Sequence, residues 1–259
     1  MFTTSDCTPV QARFSHRHTL ILIVTVEDSS LETGVKVLKW QNSIGAYKAC
    51  ISLGATCQTA YQLRRLGLRS FSGPLDWFVS DSMNGLVRLL HHRFNGFMEL
   101  NQLELVGRTQ ECYVVKDNVN QVVSYHDFPV YIPEDRWRDA YPAFKQTLDR
   151  RVQRFMKVIR EQPVLFVRTQ TNSSEAQELL KALRKLAPGK FQLLIVNHHP
   201  PGRLDVAYED WGLDGICSVK LPTGEDWRGS DPAWDLCMNG YKLYTASARL
   251  NEKRPARRR

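Results

Sequence analysis

The sequence lacks the paired cysteines that mark zinc sites and disulfide-rich scaffolds. Its six cysteines include no Cys-x-x-Cys pair and show no regular spacing, which argues against a zinc ribbon or zinc finger. A disulfide framework is not expected at this chain length and cysteine density, so a reducing setting fits best. We therefore predict a cytoplasmic protein without a bound metal.

Long apolar runs are also missing. The most apolar segment covers residues 19–26 and reads TLILIVTV, whereas a transmembrane helix needs about 20 consecutive apolar residues. Glu27 and Asp28 follow this run, where a signal peptide would carry the small residues of a cleavage site. We interpret the run as a strand, or as part of an N-terminal extension, and predict no membrane span.

The two common glycine-rich phosphate loops, G-x-G-x-x-G and G-x-x-x-x-G-K-[ST], are absent as well. Their absence counts against the common nucleotide-binding folds, and we predict no cofactor. The net charge is +8, and part of this excess lies in the basic tail at residues 253–259. A tail of this kind is usually a solvated terminus, so it is only a weak indication of nucleic-acid binding.

The residues that are present fit one large domain. The chain has 259 residues, of which 42% are hydrophobic and 24% are charged, so a substantial core is expected. We assign residues 49–250 to a single α/β domain. Residues 1–48 are an N-terminal extension in this interpretation, and residues 251–259 are a disordered basic tail.

Apolar runs at residues 163–168 and 191–197 flank a helical pattern at residues 175–187. Continuous apolar runs are typical of buried parallel strands, so this series predicts a strand–helix–strand unit. Alternating residues on either side of a polar turn predict a β-hairpin within residues 111–125. The predicted fold is α/β, a mainly parallel sheet with flanking helices and an inserted hairpin.

The stretch ISLGATC at residues 51–57 reads as a buried strand, a tight turn and the start of a helix. Gly54 suits the sharp turn, and Thr56 is a plausible N-cap. Cys57 then lies in the first helical turn, where the helix dipole favours a thiolate and therefore a nucleophile. The alternative is a small buried cysteine that only fills space.

The carboxyl ends of three predicted strands carry chemically useful side chains. Cys57 follows the first strand, Arg168 ends the run at residues 163–168, and Asn197 ends the run at residues 191–197. Ligands of open parallel sheets bind beyond these strand ends. If the strands are neighbours, the thiol, the guanidinium and the amide converge on one cleft.

Four motifs add a resemblance to a known family. The chain reads ISLGATC and SGPLDW within residues 51–77, HDF at residues 126–128 and FVR at residues 166–168. In this order the motifs resemble a family of mostly bacterial proteins named putative papain-like cysteine peptidases, although Leu75 stands where the family prefers Phe. The resemblance implies a cysteine peptidase activity and, as an alternative fold, a papain-like α+β domain. The glutamine that papain-like enzymes carry shortly before the cysteine has no counterpart here.

A cysteine nucleophile needs a base within hydrogen-bond reach and a group that orients the base. His126 is the first choice for the base, because it ends a predicted strand and lies in a motif that matches the family. His198 is the second choice. The alternative for His126 is a ring that caps a neighbouring backbone carbonyl.

The orienting group is predicted to be Asp76, with Asn197 as the other option. Asp127 is a poor partner, since neighbouring residues on an extended strand point to opposite faces. Trp77 is expected to shield the carboxylate and to contact the ligand. The alternative for Asp76 and Trp77 is a loop anchor, in which the carboxylate caps backbone N–H groups and the indole packs into the core.

Two classes of function follow from these residues. The first is a cysteine-dependent hydrolase or acyl transferase that acts on a small-molecule or peptide-like substrate through Cys57 and His126. The second is a transferase or binding domain for an anionic ligand of the phosphate or sugar-nucleotide type. In that case Arg168 and the helix N-terminus at Cys57 hold the anion.

Overall fold

The structure is a computed structural model, and it describes residues 40–161, 163–200 and 202–244. The predicted strand at residues 19–26 and the basic tail at residues 251–259 lie outside the described residues. Among the described residues, no helix has both the length and the apolar composition to cross a bilayer.

The described residues form strands β1 (Ala46–Tyr47), β2 (Ala49–Ser52), β3 (Phe78–Val79), β4 (Leu103–Arg108), β5 (Cys112–Asp117), β6 (Val122–Pro129), β7 (Val164–Thr169), β8 (Phe191–His198), β9 (Ala207–Glu209), β10 (Ile216–Leu221) and β11 (Lys242–Leu243). The helices are α1 (Gln58–Arg65), α2 (Met83–His91), α3 (Tyr141–Val158), α4 (Ser173–Leu186) and α5 (Asp231–Cys237). Short 3-10 helices cover Gln41–Ser43, Leu100–Gln102 and Glu134–Ala140.

The main sheet has five strands in the order β2-β7-β8-β10-β9. Strands β2, β7, β8 and β10 are parallel, and β9 pairs antiparallel with β10 at the edge. The predicted strand–helix–strand unit is present as β7, α4 and β8. Helix α4 begins with a capping box, in which Asn172 and Glu175 each accept the other's backbone N–H.

Successive strand residues point to opposite sides of this sheet, and helices cover both of its faces. Ile51 and Phe166 belong to the apolar core that includes residues of α3 and α4. Cys50 and Val167 belong to the other core, on the side of α1 and α5. Burial on both faces accounts for the continuous apolar runs in the sequence.

The predicted hairpin is the β5–β6 pair, but it lies at the centre of a second sheet. This sheet is antiparallel and has four strands in the order β3-β6-β5-β4. The mainly parallel prediction therefore describes the five-stranded sheet and not the molecule as a whole. Strand β3 has two residues and β4 is largely exposed, so neither carries a clear alternating pattern.

Aromatic packing fixes the second sheet against helix α3. The ring of Phe128, at the end of β6, lies 4.8 Å from the ring of Phe144 on α3 and 5.4 Å from that of Trp137. Phe128 and Phe144 are both buried. These contacts hold the end of β6, and with it His126, in a defined position relative to the main sheet.

The two ends of the described chain differ from the predicted boundaries. Trp40 and Tyr47, assigned to the extension, are buried in the core, and β1 pairs with β11. Helix α5 ends at Cys237, after which the chain turns towards β11. Parallel pairing between distant two-residue strands leaves no local pattern that a sequence analysis can read.

Candidate active site

The turn between β2 and α1 has two consecutive residues in the left-handed region, Gly54 with φ 76° and Ala55 with φ 69°. Such a conformation is unfavourable for alanine and needs support from the surroundings. Ser80 provides that support. Its hydroxyl accepts the Ala55 N–H at 3.2 Å, and its own N–H donates to the Ala55 carbonyl at 3.0 Å.

Cys57 is the N-cap residue of α1, one position before the predicted first turn. Thr56 was predicted to be the N-cap and instead precedes it, although its hydroxyl still accepts the backbone N–H of Gln58 at 3.3 Å. The Cys57 thiol is half-buried. The sharp turn thus presents the sulfur at the carboxyl end of the first strand of the main sheet.

His126 faces this sulfur from the second sheet. Its Nε2 atom lies 3.7 Å from Cys57 Sγ, within hydrogen-bond distance for sulfur. The pairing of β5 with β6 shifts between Tyr113, which faces Phe128, and Val115, which faces Ser124. Three residues of β6, 125–127, therefore stand opposite one residue of β5. Such bulges are frequent beside active sites because they redirect side chains.

An open cleft of about 590 Å³ surrounds the pair. The β2–α1 junction contributes Thr56 and Cys57, and β3 contributes Val79. The second sheet contributes residues 109–112 around the β4–β5 turn, together with Tyr125 and His126, and Trp227 closes one side. The main sheet carries the thiol, while the antiparallel sheet forms most of the opposite wall.

Burial raises the pKa of the Cys57 thiol to about 11, and the charge of Asp127 acts in the same direction. The backbone N–H of Cys57 itself lowers the pKa, but by less. This direction is opposite to the one expected from the helix N-terminus alone. The carboxylate of Asp127 accepts a hydrogen bond from the Ser124 hydroxyl at 2.6 Å, at the start of the bulge.

Trp77 contacts the imidazole directly, whereas Asp76 is linked to it through other side chains. The Trp77 ring meets the His126 ring edge to face, with centroids 6.0 Å apart and planes at 80°. The guanidinium of Arg69 lies 5.5 Å from the centre of the Trp77 ring. Arg69 Nε also binds Asp76 Oδ2 at 2.6 Å.

The Asp76 carboxylate is 2% exposed and also accepts the Gly73 backbone N–H at 2.8 Å. Burial raises the pKa of this carboxyl, against the opposing effect of Arg69. The loop-anchor alternative describes these contacts. Asp76 connects to His126 through Arg69 and Trp77, and the structure gives it no direct hydrogen bond to the imidazole.

Arg168 is buried beneath the β2–α1 turn and does not line the cleft. It is 1% exposed, and its guanidinium donates to the Leu53 carbonyl at 2.7 Å. It also donates to the Ser80 hydroxyl at 3.2 Å and to the Ser80 carbonyl at 2.5 Å. Burial lowers the pKa of Arg168 to about 10. The expected contact with a ligand is therefore replaced by contacts that hold the turn.

Asn197 is engaged by a neighbouring loop. Its side-chain oxygen accepts the Thr171 N–H at 3.0 Å, and its amide donates to the Thr171 carbonyl at 2.9 Å. His198 is half-buried, and its pKa is lowered by burial and by the neighbouring His199. Neither Asn197 nor His198 lines the cleft, so the strand ends do not converge as expected.

Comparison with known proteins places this chain in a family. The sequence profile of the putative papain-like cysteine peptidase family (DUF1796) matches residues 48–200, more than half of the chain. The chain belongs to this family. Cys57, Asp76, His126 and Arg168 all fall inside the matched region.

The chain is also similar to an uncharacterised protein, R408, of Acanthamoeba polyphaga mimivirus. The two are 34% identical over 120 residues, which cover 40% of this chain and 53% of the viral protein. The chain thus spans about half the length of this curated relative. No solved structure matches the chain significantly.

Several cleft residues of this papain-like family member were not found from the sequence. Glu111 and Cys112 come from the β4–β5 turn, Tyr125 from the bulge, and Trp227 from the segment before α5. Gln58 holds the Trp227 carbonyl at 3.2 Å. The polar residues RTQE at 108–111 indicate a turn in the sequence, but they do not indicate that this turn lies beside Cys57. Among the described residues, no cluster of His, Cys, Asp and Glu has the arrangement of a metal site.

Proposed function

We propose that this protein is a cysteine-dependent hydrolase or acyl transferase in which Cys57 is the nucleophile and His126 the base. The observation that carries the proposal is the 3.7 Å approach of Cys57 Sγ to His126 Nε2 inside an open cleft. A base must lie within hydrogen-bond reach of the proton it removes, and this pair meets that condition. Membership in a family named for cysteine peptidases supports the same class of reaction.

The high pKa of Cys57 determines how the first step proceeds. A thiol with a pKa of about 11 is protonated at neutral pH. His126 therefore takes the proton through Nε2 as the sulfur attacks the carbonyl carbon, in the manner of a serine–histidine pair. The imidazolium then donates this proton to the leaving group, and the acyl group remains on sulfur. Water attacks the thioester in a hydrolase, and another nucleophile does so in a transferase.

The oxyanion of the first intermediate needs hydrogen-bond donors near the sulfur. We assign one of them to the backbone N–H of Cys57, because the first N–H groups of a helix have no partner within the helix. The effect of this N–H on the thiol pKa is consistent with a position beside the sulfur.

Trp77 is the group that orients the imidazole in this proposal. Its edge-to-face contact limits the rotation of the exposed His126 ring, and Arg69 and Asp76 hold the indole from behind. Asp76 is thus a positioning residue that acts through two other side chains. The anionic-ligand alternative has less support, since the guanidinium of Arg168 is already bound to Leu53 and Ser80.

Hydrolysis of a panel of neutral aryl esters and aryl thioesters tests the proposal. Cys57→Ala should reduce turnover by about a thousandfold or more, as removal of a nucleophile does. Cys112→Ser is the matched control, because Cys112 is a second free thiol in the same cleft. The control should retain activity; equal turnover by Cys57→Ala and the unsubstituted protein would overturn the proposal.

A further inference from the structure

The charge of the cleft differs in sign from the charge of the chain. The whole sequence carries a net charge of +8, yet no lysine or arginine is among the residues that line the cleft. Glu111 is the carboxylate in the lining. Val79, Tyr125 and Trp227 supply apolar and aromatic surface, and Trp227 is 54% exposed.

A second carboxylate acts on the same space. The charge of Asp127, in the β6 bulge, raises the pKa values of both Cys57 and Cys112, and Glu111 adds to the effect on Cys112. Glu111 lines the cleft, whereas Asp127 follows the lining residue His126 in the bulge of β6 and is not itself among the lining residues.

Two arginines near the cleft pair with carboxylates of their own, whereas Arg108, which precedes the lining residue Thr109, has no ion pair among the described residues and is not part of the lining. Arg69, which stacks on Trp77, pairs with Asp76 at 2.6 Å. Arg228, next to Trp227, pairs with Asp226 at 2.5 Å. Inside a partly enclosed site, charges interact more strongly than in bulk water. The Glu111 carboxylate, in a lining without lysine or arginine, therefore favours cations and repels anions.

We propose that the cleft selects acyl substrates that carry a cationic group, an ammonium or a guanidinium, next to Glu111, and that it excludes anionic ones. The apolar part of such a substrate packs against Trp227, Tyr125 and Val79. That these compounds are substrates rests on the proposed function, whereas the preference for cationic groups is a property of the cleft alone. The expected substrates are amino or guanidino acyl compounds, including basic peptide residues.

The test uses three thiol reagents that differ in charge and need no catalytic turnover. Cationic trimethylammonium-ethyl, anionic sulfonato-ethyl and neutral methyl methanethiosulfonates each form a mixed disulfide with a thiol and release methanesulfinate. The protein carries Cys112→Ser, so that Cys57 is the thiol of the cleft that reports. Rates at Cys57 are read by peptide mass spectrometry and divided by the rates on a small free thiol.

The normalised rate of the cationic reagent should exceed that of the anionic reagent by about tenfold or more at low ionic strength. Glu111→Gln should lower this ratio several-fold, and added salt should lower it further. Glu178→Gln on the exposed surface of α4 removes the same charge outside the cleft and should leave the ratio unchanged.

A normalised ratio of one or less at Cys57, or one that Glu111→Gln leaves unchanged, would overturn the inference. Neither result depends on turnover, because the reagents react with any accessible thiol. Loss of the charge preference with ester hydrolysis intact would sink the selectivity alone. A clear preference in a protein that shows no acyl transfer would sink the proposed function alone.

Discussion

The carboxyl end of β2 differs from the carboxyl ends of β7 and β8, although all three strands are parallel neighbours in one sheet. The first leads through a left-handed turn to Cys57, which faces the open cleft. The other two end in Arg168 and Asn197, whose polar groups bind backbone groups of adjacent segments. Position at a strand end therefore does not by itself make a residue functional.

What distinguishes the end of β2 is the second sheet. The antiparallel strands bring His126, the β4–β5 turn and Tyr125 to the side of the thiol. The main sheet supplies the nucleophile and the Arg168 beneath its turn, and the antiparallel sheet supplies the base and the lining carboxylate Glu111. Variants that separate these two contributions test the difference between the strand ends.

The two candidate bases should give very different results on substitution. His126→Ala removes the proton acceptor and should lower ester turnover by about a thousandfold, within the range known for general bases. His198→Ala changes a residue at the end of β8 that does not line the cleft, and should change turnover per folded molecule less than twofold. A greater loss in His198→Ala than in His126→Ala would reverse the assignment. Thermal unfolding of both variants serves as the control for folding.

Arg168→Met should act on stability rather than on chemistry. The substitution leaves the carbonyls of Leu53 and Ser80 buried without their donor, which costs about 3 kcal/mol of unfolding free energy. Urea titration measures the loss. If Arg168→Met is as stable as the unsubstituted protein but no longer binds an anionic ligand, Arg168 is a ligand residue after all.

The resting thiol should be unreactive, because burial, and after it the charge of Asp127, raise the pKa of Cys57 by more than the backbone N–H at the helix N-terminus lowers it. With a pKa of about 11 instead of the ordinary 9.0, Cys57 carries less thiolate at every pH below 9. Alkylation by iodoacetamide should be about ten- to a hundredfold slower than for a small thiol of ordinary pKa.

The rate should rise steadily with pH through 9 and level off only near 11. Asp127→Asn should raise it several-fold at pH 8, and Asp149→Asn on the exposed surface of α3 should not. A plateau below pH 8 would indicate a thiolate–imidazolium pair in place of the neutral pair. The raised pKa also means that this thiol contributes stability below pH 9, which is lost as the pH rises towards 11.

Two glycines with similar backbone angles differ in their surroundings. A Cβ at Gly54, φ +76°, would approach the Ser80 hydroxyl to 2.7 Å, whereas one at Gly67, φ +69°, would meet nothing within 4 Å. Both alanine variants are strained by about 1 kcal/mol, and Gly54→Ala should lose about 1 kcal/mol more from the contact. Only Gly54→Ala should also slow acyl transfer, because it moves the turn that presents Cys57. Equal turnover in the two variants would mean that the turn does not position the thiol.

Substitution of Trp77 tests the orientation of the imidazole. Trp77→Leu removes the edge contact with His126 and should reduce kcat by about tenfold while leaving KM within twofold, since the ring is positioned less well. Trp77→Phe keeps an aromatic edge and should recover most of the loss. A change in KM without a change in kcat would instead support the original expectation that Trp77 contacts the ligand.

The sequence was informative where strands are buried on both faces and where paired elements are close together along the chain. The runs at residues 163–168 and 191–197 predicted two strands of the main sheet, and the family motifs indicated both Cys57 and His126. Whether Arg168 and Asn197 could contact a ligand depended on the residues that pack against their strand ends, namely Ser80 and Thr171. The placement of His126 and Asp127 depended on a bulge that breaks the regular alternation of β6. These features arise from pairing between segments that are distant in the chain, and the local pattern of a single sequence does not predict such pairing.

A double-mutant cycle on the rate of aryl thioester cleavage tests most directly whether the two sheets act as one catalytic unit. Residues that act together are strongly non-additive, so the variant with both Cys57→Ala and His126→Ala should be no slower than Cys57→Ala alone. Losses that multiply, in single variants that still exceed the uncatalysed rate, would show that Cys57 and His126 act independently and would contradict the account.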